Sequence, residues 1–252
     1  MKRLIIFDLD GTLALSKSAM DSGMALLLVG LLKMGKMVAI ISGGKYLQFQ
    51  KQILPAMAKA GAGTDLKNLF LFPTCGAAFY KFDSLNWQQV YAENLLLYEK
   101  NKIKDAFQIA FSKLNYIHPQ KIYGELLEDR GTQITFSALG QEAPLELKEA
   151  WDPDSAKRLK IINTLAPLLG GFDLAVGGTT SIDVLHKGIN KAYGIKKMEE
   201  YLGVDKKDML FLGDKVFPGG NDYAAKEAGV DCIQVANPEE TKNQIERILR
   251  EC

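Results

Sequence analysis

Short runs of apolar residues alternate with longer segments of mixed polarity at both ends of the chain. Runs of this kind are typical of strands buried on both faces of a parallel sheet. The longer segments have the length and the apolar stripe of amphipathic helices. This alternation predicts an α/β fold, a Rossmann-like parallel sheet with helices on both faces. The predicted strands are 4–7, 36–42, 69–73, 208–212 and 232–235, and the predicted helices are 19–34, 45–60, 187–203, 222–228 and 238–250.

The pattern changes in the middle of the chain. Strands grouped beside two helices there indicate a separate α+β layer. The sequence therefore predicts a core formed by residues 1–82 and 187–252, with an inserted α+β cap domain at residues 83–186. Within the middle region we expect a hairpin at 81–90, helices at 95–114 and 153–170 (the second capped by Asp154), and short strands within 125–138 and at 172–176 and 180–185.

The composition is that of an ordinary soluble globular protein. Hydrophobic residues make up 47% and charged residues 24% of 252 positions, a length that permits one large or two modest domains. A formal net charge of +1 gives no electrostatic argument for binding nucleic acid or an anionic membrane. Three scattered cysteines suit a reducing compartment. Two histidines and no Cys-x-x-Cys argue against a zinc site.

No segment predicts secretion or membrane insertion. Residues 24–41 are apolar, but Lys33, Gly35 and Lys36 break a stretch that is in any case too short to span a bilayer. The amino terminus runs straight into the first predicted strand, so we expect no signal peptide. We therefore expect a cytoplasmic protein whose partners include neither nucleic acid nor a membrane.

Two carboxylates, Asp8 and Asp10, follow the first apolar run. Positions i and i+2 of an extended chain point to the same side, and Gly11 allows a sharp turn behind them. Like charges this close need a cation or a proton to neutralise them, and carboxylate oxygens suit Mg²⁺. Alone, an Asp-x-Asp pair fits a solvated turn equally well.

Polar groups also follow two other predicted strands, at the edge where open parallel sheets bind ligands. Ser42, Gly43 and Gly44 offer a hydroxyl and backbone amides suited to phosphate oxygens at a helix start. By themselves they are more typical of a simple strand–helix turn. Residues 213–222 combine glycines, a proline and charged side chains, which is unusual for a turn without a function.

Residues 7–13, Phe-Asp-Leu-Asp-Gly-Thr-Leu, resemble the first motif of the haloacid-dehalogenase-like (HAD) superfamily of phosphatases and phosphotransferases with an α/β cap. The resemblance implies that Asp8 is the nucleophile that takes up the phosphoryl group. It implies that Asp10 protonates the leaving group and then activates water or a hydroxyl. Ser42 matches the second motif, which binds the transferred phosphoryl group, and Gly43 and Gly44 would add backbone amides to that site.

The remaining motifs of the superfamily also have counterparts. Lys191 falls at the third motif, a lysine that neutralises the nucleophile and the phosphate, and Lys187 is the alternative. Residues 213–222 match the fourth motif, which supplies Mg²⁺ ligands. Asn221 and Asp222 either complete the metal shell or orient Lys191. The resemblance thus implies Mg²⁺ as the cofactor, with Asp8, Asp10, Asp214, Asn221 and Asp222 as the metal-binding residues.

Two stretches, 177–184 and 213–222, resemble signature segments of the eukaryote-type phosphomannomutases within this superfamily. That resemblance implies that Ser181 and Asp183 hold sugar hydroxyls. The two residues stand two apart on a predicted strand and so share one face. Arg130 begins a segment whose spacing matches one that grips the far phosphate of the substrate in that family.

The chain departs from the phosphomannomutases at the other basic positions. Gln141 stands where a second arginine is expected, and Lys148 and Lys17 stand where further arginines are expected. By the resemblance these two lysines are expected to bind substrate. A lysine lacks the bidentate guanidinium of an arginine, so the replacements weaken a phosphate clamp. A mutase must hold a bisphosphate in two orientations and exclude water, whereas a phosphatase has only to bind a monoester and admit water.

The leading hypothesis is a Mg²⁺-dependent phosphohydrolase, a HAD-type phosphatase that acts on a small phosphorylated metabolite, a sugar phosphate, through an aspartyl-phosphate on Asp8. The alternative is a phosphomannomutase that uses the same first half-reaction. A third hypothesis, a catalytically idle sugar-phosphate-binding protein, is disfavoured because all the expected catalytic groups are present. The phosphorylated metabolite is the expected partner, and the assembly considered is a homodimer through the cap.

Overall fold

The structure is a computed structural model that describes residues 2–251. Its strands are β1 (Leu4–Asp8), β2 (Met37–Ile41), β3 (Leu69–Phe72), β4 (Ala78–Phe82), β5 (Trp87–Ala92), β6 (Leu127–Asp129), β7 (Gln133–Ser137), β8 (Phe172–Gly177), β9 (Ser181–His186), β10 (Met209–Gly213) and β11 (Asp231–Gln234). Its α-helices are α1 (Ser22–Lys33), α2 (Tyr46–Gln52), α3 (Leu54–Lys59), α4 (Leu97–Lys113), α5 (Leu145–Trp151), α6 (Ala156–Leu165), α7 (Lys191–Leu202), α8 (Tyr223–Glu227) and α9 (Pro238–Arg250).

The chain divides into two compact units. The core unit is Met1–Ala92 with Ile189–Cys252, and the cap unit is Glu93–Gly188. The first boundary therefore lies after residue 92 and not after residue 82 as predicted. The reason is that β4 pairs antiparallel with β3 and β5 pairs with β4, so this hairpin extends the core sheet. The second boundary lies two residues beyond the predicted one.

The core unit contains a seven-stranded sheet in the order β11-β10-β1-β2-β3-β4-β5. The first five strands are parallel; at one edge β4 pairs antiparallel with β3, and β5 pairs antiparallel with β4. The predicted α/β class and Rossmann-like core are confirmed. The strand order reverses at β1, which lies between β10 and β2, and such a switch point is where open α/β sheets bind ligands.

Burial of β1 on both faces explains why its sequence is a continuous apolar run. Ile5 and Phe7 belong to the cluster that includes residues of α1 and α9. Leu4 and Ile6 point to the opposite face and belong to the cluster that includes residues of α7. All four side chains are fully buried, so helices cover the sheet on both sides as the pattern predicted.

The structure changes the predicted helices in three places. The segment 45–60 forms two helices, since α2 ends at Gln52 and α3 begins again with Pro55 in its first turn. A proline there has no N–H to continue the preceding helix. The helix α5 was not predicted, and α6 begins at Ala156 after Ser155 rather than at residue 153. Asp154 is therefore not the N-cap, although its side chain accepts from the Ala156 amide at 3.1 Å.

The cap unit contains a four-stranded antiparallel sheet in the order β6-β7-β9-β8. One face carries Ile134, Phe136, Ile182 and Val184, which are buried in a cluster with side chains of α4 and α6. The other face of β7 is polar, and that polar side is buried as well. Within residues 2–251, no helix is both long and apolar enough to cross a membrane.

Candidate active site

The loop that follows β1 carries the first two carboxylates. Asp8 is the last residue of β1 and is buried, with 5% of its surface exposed. Gly11 has a φ of +89°, and a Cβ on it would lie 2.7 Å from a carboxylate oxygen of Asp214. Only glycine allows the loop this turn and this close approach. The end of β1 is thereby held against the end of β10.

Lys191 lies among these carboxylates. It is the first residue of α7, whose N-cap Asn190 accepts from two backbone amides of the first turn. The Lys191 ammonium is 1% exposed and donates to Asp8 Oδ1 at 2.5 Å and to Asp222 Oδ1. Lys187, the alternative, is exposed and belongs to the cap unit. The structure therefore places Lys191 at the predicted nucleophile.

The loop after β10 supplies two further carboxylates. Asp222 is fully buried and accepts from Lys191 and, at 2.9 Å, from the Lys215 backbone amide. Asp8, Asp214 and Asp222 each offer an oxygen, and these oxygens lie within 4.8 Å of one another. Of the other predicted metal-binding residues, Asn221 is exposed on the loop, and the Asp10 carboxylate lies outside this group of three and contacts other residues.

Burial and charge shift the pKa values in this cluster. Burial raises the pKa of Asp8 to about 7; the Lys191 ammonium lowers it and the Asp222 and Asp214 carboxylates add to the rise. Burial also raises the pKa of Asp214. Burial opposes the charge on Lys191, yet Asp222 and Asp8 hold its pKa above the ordinary value. Lys191 therefore stays protonated.

The cluster fits a divalent metal ion. Three carboxylates face the buried Lys191 ammonium and the more exposed Lys215 ammonium, which lies 3.9 Å from Asp214, so negative charge remains in excess in a buried place, which is costly without a cation. The donors are oxygens only, which suits Mg²⁺ better than Zn²⁺. Asp8, Asp214 and Asp222 are the residues that would hold it.

The predicted phosphate loop lies at the neighbouring strand end. Ser42 follows β2, which pairs in parallel with β1 so that Asp8 is level with Ile41. Ser42 is buried, and its Oγ accepts from the Gly44 amide at 3.1 Å. Gly43 and Gly44 lead into α2. The structure therefore brings Ser42 beside the strand that carries Asp8.

Asp10 is held by Lys17 and by two glutamines that no sequence motif indicated. Its Oδ1 accepts from the Lys17 backbone amide and its Oδ2 from the Gln48 side chain, both at 2.7 Å. Gln52 lies one turn further along α2 and reaches Asp10 Oδ1 at 3.5 Å. The sequence signal was a pair of glutamines at i and i+4 on the helix that follows Ser42. Lys17, predicted to bind substrate, meets Asp10 through its backbone.

Arg130 and Lys148, cap positions that correspond to a distal-phosphate clamp, both contact Gln141, the third such position. Arg130 donates to Glu128 at 2.7 Å and to the Gln141 side-chain oxygen at 3.4 Å. Lys148 is buried, and its ammonium donates to the Gln141 backbone carbonyl at 2.8 Å. The glutamine that replaces an expected arginine therefore accepts hydrogen bonds from both basic residues.

The predicted sugar-binding pair lies on β9 of the cap sheet. Ser181 pairs with Ser137, and Asp183 pairs with Thr135, so both belong to the polar face of the sheet. The Asp183 carboxylate accepts from the Thr135 hydroxyl at 2.6 Å and from the Gln133 side chain at 3.2 Å. The pair therefore shares one face, as the spacing predicted.

Comparison with known proteins places these motifs in context. A model of the eukaryotic phosphomannomutase family matches residues 28–251. The phosphomannomutase of Encephalitozoon cuniculi is 26% identical over 257 residues, which cover 99% of this chain and 94% of that protein. These matches confirm the resemblance that the motifs indicated.

Solved structures share the fold. The IMP-nucleotidase of Plasmodium falciparum superposes with a TM-score of 0.71 and 18% identity, covering 99% of this chain and 68% of that one. A haloacid dehalogenase-like hydrolase from Bacteroides thetaiotaomicron superposes with a TM-score of 0.61 and 18% identity, covering 98% of this chain and 100% of that one. At these identities the likeness shows only that this chain shares its fold with those two proteins.

Proposed function

Since the chain belongs to the eukaryotic phosphomannomutase family, we propose that it is a sugar-phosphate phosphotransferase that moves a phosphoryl group between the 1- and 6-positions of a hexose. The observation that carries the proposal is the buried contact of Lys191 with Asp8 and Asp222 at the switch point of the core sheet. Family membership supports this alternative better than the hydrolase that the departures at the basic positions favoured.

Asp8 is the nucleophile of the proposed reaction. A carboxylate oxygen of Asp8 attacks phosphorus of the bound sugar phosphate, and the bond from phosphorus to the sugar oxygen breaks. Lys191 contacts Asp8 and stays protonated, so its charge favours the ionised carboxylate and offsets the negative charge that arrives with the phosphate. Ser42, with the amides of Gly43 and Gly44, would bind the oxygens of the transferred group.

Asp10 moves the proton in both half-reactions. Its carboxyl group gives a proton to the departing sugar oxygen, and its carboxylate later takes one from the hydroxyl that attacks the aspartyl-phosphate. In a mutase, the phosphorylated enzyme gives its phosphoryl group to a sugar monophosphate. The resulting bisphosphate then turns round and returns its other phosphoryl group to Asp8. Sugar 1,6-bisphosphate would therefore prime the enzyme.

Mg²⁺ is the proposed cofactor. Asp8, Asp214 and Asp222 would hold the ion, because their oxygens converge and carry an excess of negative charge. When bound, Mg²⁺ screens the charge of the phosphoryl oxygens from the attacking carboxylate. Asp222, which also contacts Lys191 and the Lys215 amide, in addition fixes the loop that carries Asp214.

The cap unit is proposed to select the substrate. Arg130 and Lys148 supply positive charge for a distal phosphate, and Ser181 and Asp183 supply hydrogen-bonding groups for sugar hydroxyls. Lys17 is the proposed basic contact on the core unit. A cytoplasmic location and a homodimer through the cap stay predictions.

Hydrolysis is the second candidate, and one observation favours it. Gln141 occupies the position where a second arginine is expected. Its side chain accepts a hydrogen bond from Arg130 and does not supply a second guanidinium for the phosphate. Glu128 engages the same guanidinium at 2.7 Å. A clamp with fewer free donors holds a bisphosphate less firmly, so water has more time to reach the aspartyl-phosphate.

A paired assay separates the two functions. Mannose 1-phosphate and glucose 1-phosphate are supplied with Mg²⁺, with and without sugar 1,6-bisphosphate, while free phosphate and the 6-phosphate product are followed over time. We expect the 6-phosphate to form faster than free phosphate and to depend on the bisphosphate. Free phosphate that outruns the 6-phosphate would contradict the proposal and support the hydrolase.

Two variants sharpen this assay. Asp8→Asn is the control for contaminating activity, since it removes the nucleophile. Gln141→Arg restores the expected fork, so it should raise the ratio of 6-phosphate to free phosphate if a weak clamp admits water. An unchanged ratio in Gln141→Arg would remove the clamp from the explanation.

A further inference from the structure

The Asp10 carboxylate receives one hydrogen bond of 2.7 Å on each oxygen, and these two donors differ in kind. The donor to Oδ1 is the Lys17 backbone amide, which every variant of that position except proline retains. The donor to Oδ2 is the side-chain amide of Gln48 at 2.7 Å. Gln52 is a weaker donor, because its amide lies 3.5 Å from Asp10 and donates to the Ser18 carbonyl at 2.7 Å.

The packing around Gln48 fits this contact. Gln48 and Gln52 stand at i and i+4 on α2 and so lie on the same face of that helix. A Cβ on Gly44 would lie 1.8 Å from the Gln48 side-chain oxygen and 2.5 Å from its carboxamide carbon. Any side chain at position 44 would push the carboxamide away. The absence of a side chain at Gly44 therefore leaves the space in which the Gln48 amide reaches Asp10.

We infer that Gln48 is a positioning residue, which sets the plane of the Asp10 carboxylate for proton transfer. The inference rests on the proposed function, in which Asp10 is the general acid and base. The torsion between Cβ and the carboxylate of an aspartate is broad, so one donor alone defines its plane poorly. Donors on both oxygens define it, and Oδ2, which accepts from Gln48, keeps a lone pair for the reacting group. A glutamine does this without adding charge beside Asp8.

Gln48→Ala tests the inference with two leaving groups. A hexose phosphate needs a proton from Asp10 as its sugar oxygen departs, whereas dinitrophenolate leaves without one. The quantity compared is kcat/KM, which reports the steps up to formation of the aspartyl-phosphate. We expect a loss of about 10- to 100-fold for the hexose phosphate, since a small misplacement of a catalytic group has an effect of this order. For dinitrophenyl phosphate we expect a change of less than about threefold.

Matched variants show whether the effect passes through Asp10. Gln50→Ala lies on the same helix at an exposed position and should leave both substrates unaffected. Gln48→Asn keeps the amide but is shorter by one methylene, so it should behave like Gln48→Ala. In an Asp10→Asn background, Gln48→Ala should cause no further loss on the hexose phosphate, because residues that act as a unit are not additive.

A crystal structure of Gln48→Ala tests the geometry without turnover. We expect the Asp10 carboxylate to rotate or to take several orientations. An unchanged, single orientation, or an equal loss on both substrates, would overturn the inference. If the wild-type chain turned over neither substrate, the proposed function would fail, while the crystal structure would still decide whether Gln48 positions Asp10.

Discussion

The Arg158 guanidinium donates five hydrogen bonds within the cap unit, and its replacement by methionine tests what holds the β8–β9 turn. The guanidinium is 3% exposed and donates to the Asp152 carboxylate at 2.7 Å and to the Asp152 carbonyl at 3.0 Å. It also donates to the carbonyls of Gly177 and Gly178 at 3.1 and 2.9 Å, and to the Ser155 hydroxyl. Arg158 therefore joins α6 to the turn that precedes the proposed sugar-binding strand.

The loss of stability in Arg158→Met depends on the buried Asp152 carboxylate, which the substitution leaves without its ion-pair partner. Asp152 is 2% exposed and would keep only the Lys157 and Arg158 backbone amides, at 2.9 and 3.1 Å. Removing one partner of a buried ion pair costs about 3–5 kcal/mol, because the other charge stays buried without it. Methionine retains part of the apolar contact, so we expect a loss of about 3 kcal/mol, at the low end of that range.

Urea denaturation followed by tryptophan fluorescence measures this loss. A Trp87→Phe background leaves Trp151, in the cap unit, as the tryptophan of the chain. Lys160→Met is the matched control, since Lys160 lies on α6 like Arg158 but is exposed, and surface substitutions change stability by about 0.5 kcal/mol or less. A loss below about 1 kcal/mol in Arg158→Met would refute the claim that a buried network depends on this residue.

The pH dependence of the same variant has a definite sign. Burial tends to raise the pKa of Asp152, but hydrogen bonds from Arg158 and from two backbone amides hold it below the ordinary value. A lowered carboxyl pKa stabilises the fold above the unfolded-state pKa of about 3.9, and this contribution is lost as pH falls through the folded pKa. The stability difference between wild type and Arg158→Met should therefore shrink below about pH 4.

Three further predictions concern the active site. Asp8→Asn should abolish turnover without lowering the melting temperature, because an amide cannot act as the nucleophile; activity within about tenfold of wild type would remove Asp8 from the mechanism. Exhaustive chelation should abolish activity, and Mg²⁺ should restore it better than Zn²⁺, since Asp8, Asp214 and Asp222 offer only oxygens; full activity after chelation would contradict this. Arg130→Ala should raise KM for a sugar phosphate and hardly alter turnover of a small aryl phosphate, and an equal loss on both would count against its role at the distal phosphate.

The local pattern of apolar and polar residues was sufficient to predict most strands of the core unit and the edge of the sheet where the candidate site lies. The apolar run before Asp8 had to be covered on both faces, because exposing either side of β1 would leave large branched side chains in water. Alternating strands and helices of this kind give parallel pairing, and parallel strands bring their carboxyl ends to one edge. The sequence therefore determined that Asp8, Ser42 and Asp214 follow strands of one sheet, and the residue types indicated phosphate and Mg²⁺.

Only the tertiary structure showed which strand the β4–β5 hairpin pairs with and which distant side chains are in contact. The sequence pattern of the β4–β5 hairpin would fit a hairpin in the core unit or in the cap unit equally well. Only the pairing of β4 with β3 puts residues 83–92 in the core unit. Lys191 is 183 positions from Asp8, so its contact depends on how α7 packs on the sheet. Gln48 meets Asp10 because a helix and a loop that are separate in sequence pack together. Sequence pattern reports periods within one element, whereas these contacts join different elements, and only packing in three dimensions decides them.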